Sequence, residues 1–342
     1  MSRAMRALLG ALGVAIVALI AYLTPPVSPI TRALLGLLSL MALWFVWRWP
    51  RLEQRLAASA GAAPGPAGPG VFDLALGFVT DFFDTLGIGN FAPTTAAIKF
   101  TRRTRDEDIP GTLNVGHALP VLTEALIFIA AIVVDPRLLI AMIVASILGA
   151  WLGAGVVARL PRRAVQVGMG TALAVAAALF VAANLHWMPV GGSATAFSGT
   201  RFLVAVGGNF ILGALMTLGI GLYAPCLIML SLLGLDPRAA FPIMMGSCAF
   251  LMPIGGMRFV RSRRYNLSVA LGLAIGGPPA VLIAGYLVKS MPLVWLRWLV
   301  VCVVLYAAVM MLTSALRRAP PPERAAAREV LEVAARSPQA GD

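Results

Sequence analysis

Four ionisable side chains fall inside long apolar runs of this sequence: Asp81, Asp84, His117 and Glu124. An ionisable group at membrane depth is costly and is a functional candidate by default. Loss of water favours the protonated form of a carboxyl, so Asp84 and Glu124, with Asp81 and His117, are candidates to take up and release a proton during a transport cycle. Asn114, His117 and Glu124 follow one another at spacings of three and seven, which places them along one face of a helix. Structural roles compete with this reading. Asp81 and Asp84 can accept hydrogen bonds from free backbone amides at a helix break, and His117 can sit in a helix interface.

Just beyond the two aspartates stands Thr85-Leu86-Gly87-Ile88-Gly89-Asn90-Phe91-Ala92-Pro93, and it returns as Thr217-Leu218-Gly219-Ile220-Gly221-Leu222-Tyr223-Ala224-Pro225. Seven of the nine positions are identical, and at the same offset of 132 Ile109-Pro110 meets Phe241-Pro242. Glycines on both sides of an isoleucine weaken a helix, and proline is tolerated in the first turn of the next one, so each copy predicts a helix that stops and restarts. Unwound backbone inside a bilayer must be buried in protein or line a wet cavity. A restarting half-helix presents free N–H groups and its positive dipole end, which suits an anion. The predicted substrate contacts are therefore Thr85, Gly87, Gly89, Asn90, Thr94 and Thr95 at the first break, with Thr217, Gly219, Gly221 and Tyr223 at the second. Asn209, Ser247 and Cys248 are further polar candidates, Lys99 reads as a snorkelling end of the first half-helix, and Arg258 is accounted for by topology. The competing reading of the glycines and prolines is close helix packing. The positions matching Asp81 and Asp84 are Gly213 and Met216, so the halves are chemically unequal.

The elements that must carry these residues are membrane helices. Of 342 residues, 60% are hydrophobic and 12% charged, and the mean hydropathy is +0.89, a composition for which lipid is the main solvent. Arginines cluster at 3/6, 48/51/55, 102/103/105, 159/162/163, 258/261/263/264 and 317/318. Basic loops stay on the cytoplasmic side, which predicts cytoplasmic termini and spans at 7–23, 30–47, 111–134, 137–158, 164–184, 240–258, 267–288 and 293–316. The stretches 71–100 and 202–235 each return to the side on which they begin, and they begin on opposite sides. The two copies are thus expected as inverted repeats about an axis in the membrane plane, an arrangement of transporters. The expected organisation is two N-terminal transmembrane helices (1–56), a cytoplasmic Ala/Gly/Pro linker (57–70), a first repeat (71–184), an external loop (185–200), a second repeat (201–317) and a cytoplasmic tail (318–342). The fold class is an all-α polytopic membrane protein with two inverted-topology repeats and interrupted, re-entrant helices.

Several functions are disfavoured by what the chain lacks. A net charge of +13 accompanies arginines scattered as topology signals, not gathered into a nucleic-acid groove. Cys226, Cys248 and Cys302 have no paired spacing and no adjacent His, so neither a metal site nor a cofactor is expected. There is no GxxxxGK[ST] segment, so energy is expected from an ion gradient or the substrate's own gradient. The first apolar run, 7–23, is expected as an uncleaved span because no A-x-A site follows it.

From Phe72 to Leu316 the chain resembles the TauE/SafE sulfite exporter family of inner-membrane permeases, on Gly77-Phe78-Val79-Thr80-Asp81-Phe82-Phe83-Asp84-Thr85-Leu86-Gly87-Ile88-Gly89 and on Gly213-Ala214-Leu215-Met216-Thr217-Leu218-Gly219-Ile220-Gly221. Where many members carry a run of glycines, this chain has Leu86-Gly87-Ile88-Gly89-Asn90, and two extra helices precede the core. The resemblance implies a permease for sulfite or an organosulfonate such as sulfoacetate. The expected partners are the lipid bilayer, a small anionic substrate and a coupling ion, proton or sodium, with a homodimer left open. The rival readings are a membrane scaffold that transports nothing and an intramembrane enzyme. The second lacks an HExxH or GxSxG pattern.

Overall fold

The computed structural model describes residues 3–23, 27–59, 68–157, 162–185, 192–216 and 221–316. Most of the central linker, the middle of the external loop, the tail from 317, and Thr217 and Gly219 lie outside them. The described residues form helices α1 (Arg3–Leu23), α2 (Pro29–Ser59), α3 (Val71–Thr85), α4 (Phe91–Thr101), α5 (Ile109–Gly116), α6 (Ala118–Ala131), α7 (Pro136–Val157), α8 (Arg162–Asn184), α9 (Gly199–Met216), α10 (Tyr223–Leu232), α11 (Pro237–Ser262), α12 (Leu267–Ser290) and α13 (Leu293–Leu316). A short 3₁₀ turn, Asp106–Asp108, leads into α5. Six stretches among the described residues are long and apolar enough to cross a membrane: Pro29–Ser59, Asp106–Ala131, Gly199–Met216, Pro237–Ser262, Leu267–Val288 and Val294–Leu316. Large apolar side chains such as Leu40, Trp151, Leu203 and Trp295 face outward, which a lipid surround accommodates and water would not.

Two boundaries differ from the sequence reading. The second helix runs on through Pro50 to Ser59, twelve residues beyond the expected span. The span expected as one piece over 111–134 is two helices that meet at His117. Pro120 explains this second difference: without an N–H it cannot bond back to the carbonyl of Gly116, so the ladder lapses and α6 starts afresh.

The N-terminal pair is tied to the core. The Trp49 indole donates to the Tyr265 hydroxyl at 3.0 Å, and that hydroxyl donates to Glu53 at 2.5 Å. Burial, with the Glu53 charge beside it, pushes the Tyr265 phenol up, so it stays a donor. Arg263 also donates to the carbonyl of Leu56.

Helices that occupy matching places in the two halves exchange partners. The first broken helix, α3, packs along α12, while its counterpart α9 packs along α7, and α8 lies against α13. Backbones approach closely at both crossings. A Cβ on Gly77 would sit 2.7 Å from the Leu273 Cα, and one on Gly213 would sit 2.1 Å from the Ser146 carbonyl oxygen. Small residues at such crossings let dispersion contacts replace the hydrophobic drive that lipid does not supply.

Candidate functional site

The first break is a helix end of a recognised kind. Gly87 N donates to Asp84 O at 2.7 Å and Ile88 N to Phe83 O at 3.1 Å, the paired bonds of a Schellman motif with its left-handed residue next after the cap. Gly87 has φ +97° and Gly89 φ +88°, where an L side chain is strained. The chain then restarts at Phe91, with Thr94 N bonded to Asn90 O at 3.1 Å. The stop at Gly87 and Gly89 thus follows the sequence reading.

This ending turns one face of α3 toward α4, α5 and α6 and gathers the predicted polar residues into a buried network. The Asn90 amide donates to Asp81 Oδ1 at 2.8 Å and to Asp84 Oδ2 at 2.6 Å, bridging two carboxyls that would otherwise repel. His117 Nδ1 lies 2.7 Å from Asp81 Oδ1, and its Nε2 lies 3.1 Å from Thr94 Oγ1. Glu124 is held by one residue from each half: Thr85 Oγ1 is 2.8 Å from Oε1, and the Tyr223 hydroxyl donates to Oε2 at 2.8 Å. Asp81, Asp84, Thr85, Asn90, Thr94, His117, Glu124 and Tyr223 are all buried. Three carboxyls and one imidazole share this space, and no Lys or Arg bonds to any of them among the described residues.

One atom of the network has no partner. Asp81 Oδ2 is buried and accepts no hydrogen bond. It faces Gly277 of α12, where a Cβ would sit 2.2 Å from it, and Pro120, whose Cγ lies 2.4 Å from the same position. Glycine at 277 is what leaves room for this carboxyl.

Other predicted residues stand apart. Thr95 is half-buried and Gly221 is exposed. Asn114 bonds its own helix at Pro110 O, 2.8 Å away, so the expected polar stripe ends at the kink. Lys99 pairs with Asp106 at 3.5 Å and is mostly exposed, as snorkelling requires, and Arg258 is exposed. Asn209 donates to Met142 O at 2.7 Å and to Ser247 at 3.0 Å, a separate buried pair that links α9 to α7 and α11. The Asn90 side chain and His117 bond to Asp81, while Asp84 interacts with both the side chain and the backbone amide of Asn90 at the break.

The sequence reading did not find Asp73. It is fully buried and pairs with the Arg103 guanidinium: Oδ2 accepts from Nη2 at 2.9 Å, and Oδ1 lies 2.9 Å from Nε as an ion pair. Its Oδ2 also accepts from Gly70 N at 2.9 Å. The signal was present as an acidic residue three positions after a Pro-Gly stop, the pattern that caps a helix start.

A pocket of about 320 Å³ opens between the ends of α6, α11 and α12, with Arg238 and Phe241 in its wall, and none of the network residues lines it. Phe241 separates the two places: its ring stacks on Phe128 at 5.3 Å and lies beside Gly87.

A helical bundle with buried ionisable groups at an interrupted helix defines a polytopic membrane protein with a polar core. A family model for the sulfite exporter TauE/SafE matches residues 2–180 and 201–337. The chain belongs to that family of membrane transporters. Comparison with curated proteins and with solved structures gave no match.

Proposed function

We propose that this protein is a secondary permease for a small anion, sulfite or an organosulfonate such as sulfoacetate, working by alternating access between its two broken elements. The observation that carries the reading is Glu124, held by Thr85 from the first break and by Tyr223 from the second. A single buried carboxyl thereby links the elements that must move against each other. The exchange of partners between α3–α12 and α9–α7 supports inverted repeats, because a two-fold relation between halves swaps contacts in this way. The burial of the whole network fits a conformation closed on both sides, with Phe241 between the break and the pocket beside Arg238. The arginine pattern supports an inner-membrane protein with cytoplasmic termini.

The test is counterflow of radiolabelled sulfite in proteoliposomes, with sulfoacetate and sulfate as competitors. Transient accumulation in the wild type and at least a tenfold loss in Thr85→Val support the reading. Equal counterflow in the two proteins would remove the break from the transport path.

A further inference from the structure

We infer that the Asp81–His117–Thr94 chain is a proton-operated switch that admits the anion to the first break only together with a proton, which makes the protein a proton–anion symporter. This rests on the anion-carrier reading above and adds the co-substrate and the sign of coupling.

The argument starts from donors and acceptors. Asp81 Oδ1 accepts from the Asn90 amide and lies against His117 Nδ1, so Nδ1 carries a hydrogen and donates it. The state of the ring is then decided at Nε2, whose neighbour is the Thr94 hydroxyl. In neutral His117, Nε2 is an acceptor and takes the Thr94 hydroxyl hydrogen, so Thr94 offers only lone pairs to whatever lies at the start of α4. When a proton binds at Nε2, that N–H donates to Thr94 Oγ1 instead, and the hydroxyl hydrogen is released to donate elsewhere. The added proton at the same moment makes the Asp81–His117 pair one charge more positive. Both changes favour an anion, and neither favours a cation.

The surroundings leave His117 to act alone. From α3 it faces Asp81, with Asp84 beyond Asn90; from its own α6, Glu124 lies two turns on. Tyr223 of α10 reaches Glu124, and Cys248 of α11 lies near Asp84 and Glu124. On α4, Lys99 turns out to Asp106, and the other charges of α11 and α2, such as Arg258 and Glu53, sit toward their exposed ends or bond elsewhere. On α12, Tyr286 is exposed, and at Asp81 that helix presents Gly277. The other carboxyl oxygen, Asp81 Oδ2, is buried without a hydrogen-bond partner beside Gly277, so Asp81 acts on His117 through Oδ1 alone. The switch is built once: at the offset of 132, His117, Asp81 and Thr94 correspond to Ala249, Gly213 and Cys226, which sets one proton per anion at this chain of groups.

The experiment uses the full chain in proteoliposomes with sulfite and with sulfoacetate, whose charge is constant across the neutral range. Counterflow at equal pH on both sides tests the carrier. An acid-outside gradient with no anion gradient tests the switch. The expected result is counterflow, acid-driven accumulation abolished by a protonophore, and a half-saturation concentration that falls by up to about tenfold for each unit of falling pH, the limit for one linked proton. Thr94→Val and His117→Gln are expected to lose acid-driven accumulation and to flatten that pH profile, whereas Thr94→Ser restores both. Size-exclusion profiles of the variants separate loss of the switch from loss of fold. Counterflow without acid-driven accumulation, or acid that slows uptake, overturns symport while leaving the carrier in place. No counterflow of either anion removes the carrier reading and the switch with it.

Discussion

The two breaks share a sequence motif and differ in nearly every polar residue around it. At the first, Asp81, Asp84, Asn90, Thr94 and His117 form one hydrogen-bonded body, to which Glu124 is joined through Thr85. At the offset of 132 their counterparts are Gly213, Met216, Leu222, Cys226, Ala249 and Gly256, all without charge. Only the threonine is kept, as Thr85 and Thr217, and where the first break has Phe91 the second has Tyr223, which reaches across to Glu124. A duplicated motif does not entail duplicated chemistry. At these positions one copy holds the carboxyls and the imidazole, and the other contributes mostly apolar residues with Thr217 and the Tyr223 hydroxyl that reaches Glu124.

Substitutions can break or sharpen this contrast, and the largest effect is expected where the halves are alike. Gly213→Leu would drive a side chain into the Ser146 carbonyl, and a loss on the order of 3 kcal/mol should show as collapse of the monodisperse peak in detergent; normal behaviour would mean that the α9–α7 crossing is looser than described. Next comes Asn90→Leu, which gives the first break the residue of the second and removes the donor between Asp81 and Asp84. A cost of about 2–3 kcal/mol and loss of counterflow are expected, and a thermal melt at the wild-type temperature would argue against the bridging role. Gly87→Ala places a side chain at φ +97° and should cost about 1–2 kcal/mol, read as a lowered melting temperature. Tyr223→Phe leaves Glu124 one donor short, a loss of about 1 kcal/mol. A double-mutant cycle with Thr85→Val should be non-additive, because both hydroxyls act on one carboxyl, and strict additivity would separate them. Gly221→Ala is expected to change stability by less than about 0.5 kcal/mol, since that glycine is exposed and an added Cβ would meet nothing within 4 Å. A large effect there would erase the distinction between the breaks.

How much of this was readable in the sequence depends on the range of the interaction. The stop at Gly87 is local chemistry, a left-handed residue that ends a helix, and the repeat announced it twice. Asp81, Asn90 and Thr94 are near neighbours around that stop, whereas His117 stands 36 residues from Asp81, and the spacing that set it on a stripe with Asn114 and Glu124 does not encode its contact with Asp81. The kink at His117 was equally local but was passed over, since Pro120 stands three residues beyond the break it causes. The Tyr223–Glu124 bond joins residues 99 positions apart, and no periodicity encodes which aromatic ring meets which carboxyl. The Asp73–Arg103 pair was hidden by an assignment: Arg103 had been read as a marker of sidedness, and topology and pairing draw on the same residue.

The fastening of α2 to the turn before α12 bears on how the protein is made. Glu53 and Tyr265 are 212 residues apart, so at ribosomal speeds of roughly 5–20 residues per second the first waits about 10–40 s for the second. During that interval Glu53 is without its Tyr265 partner. The bond can close only when the second half has been delivered as far as the turn before α12, with α12 and α13 still to follow, so it marks the joining of the N-terminal pair to the second half.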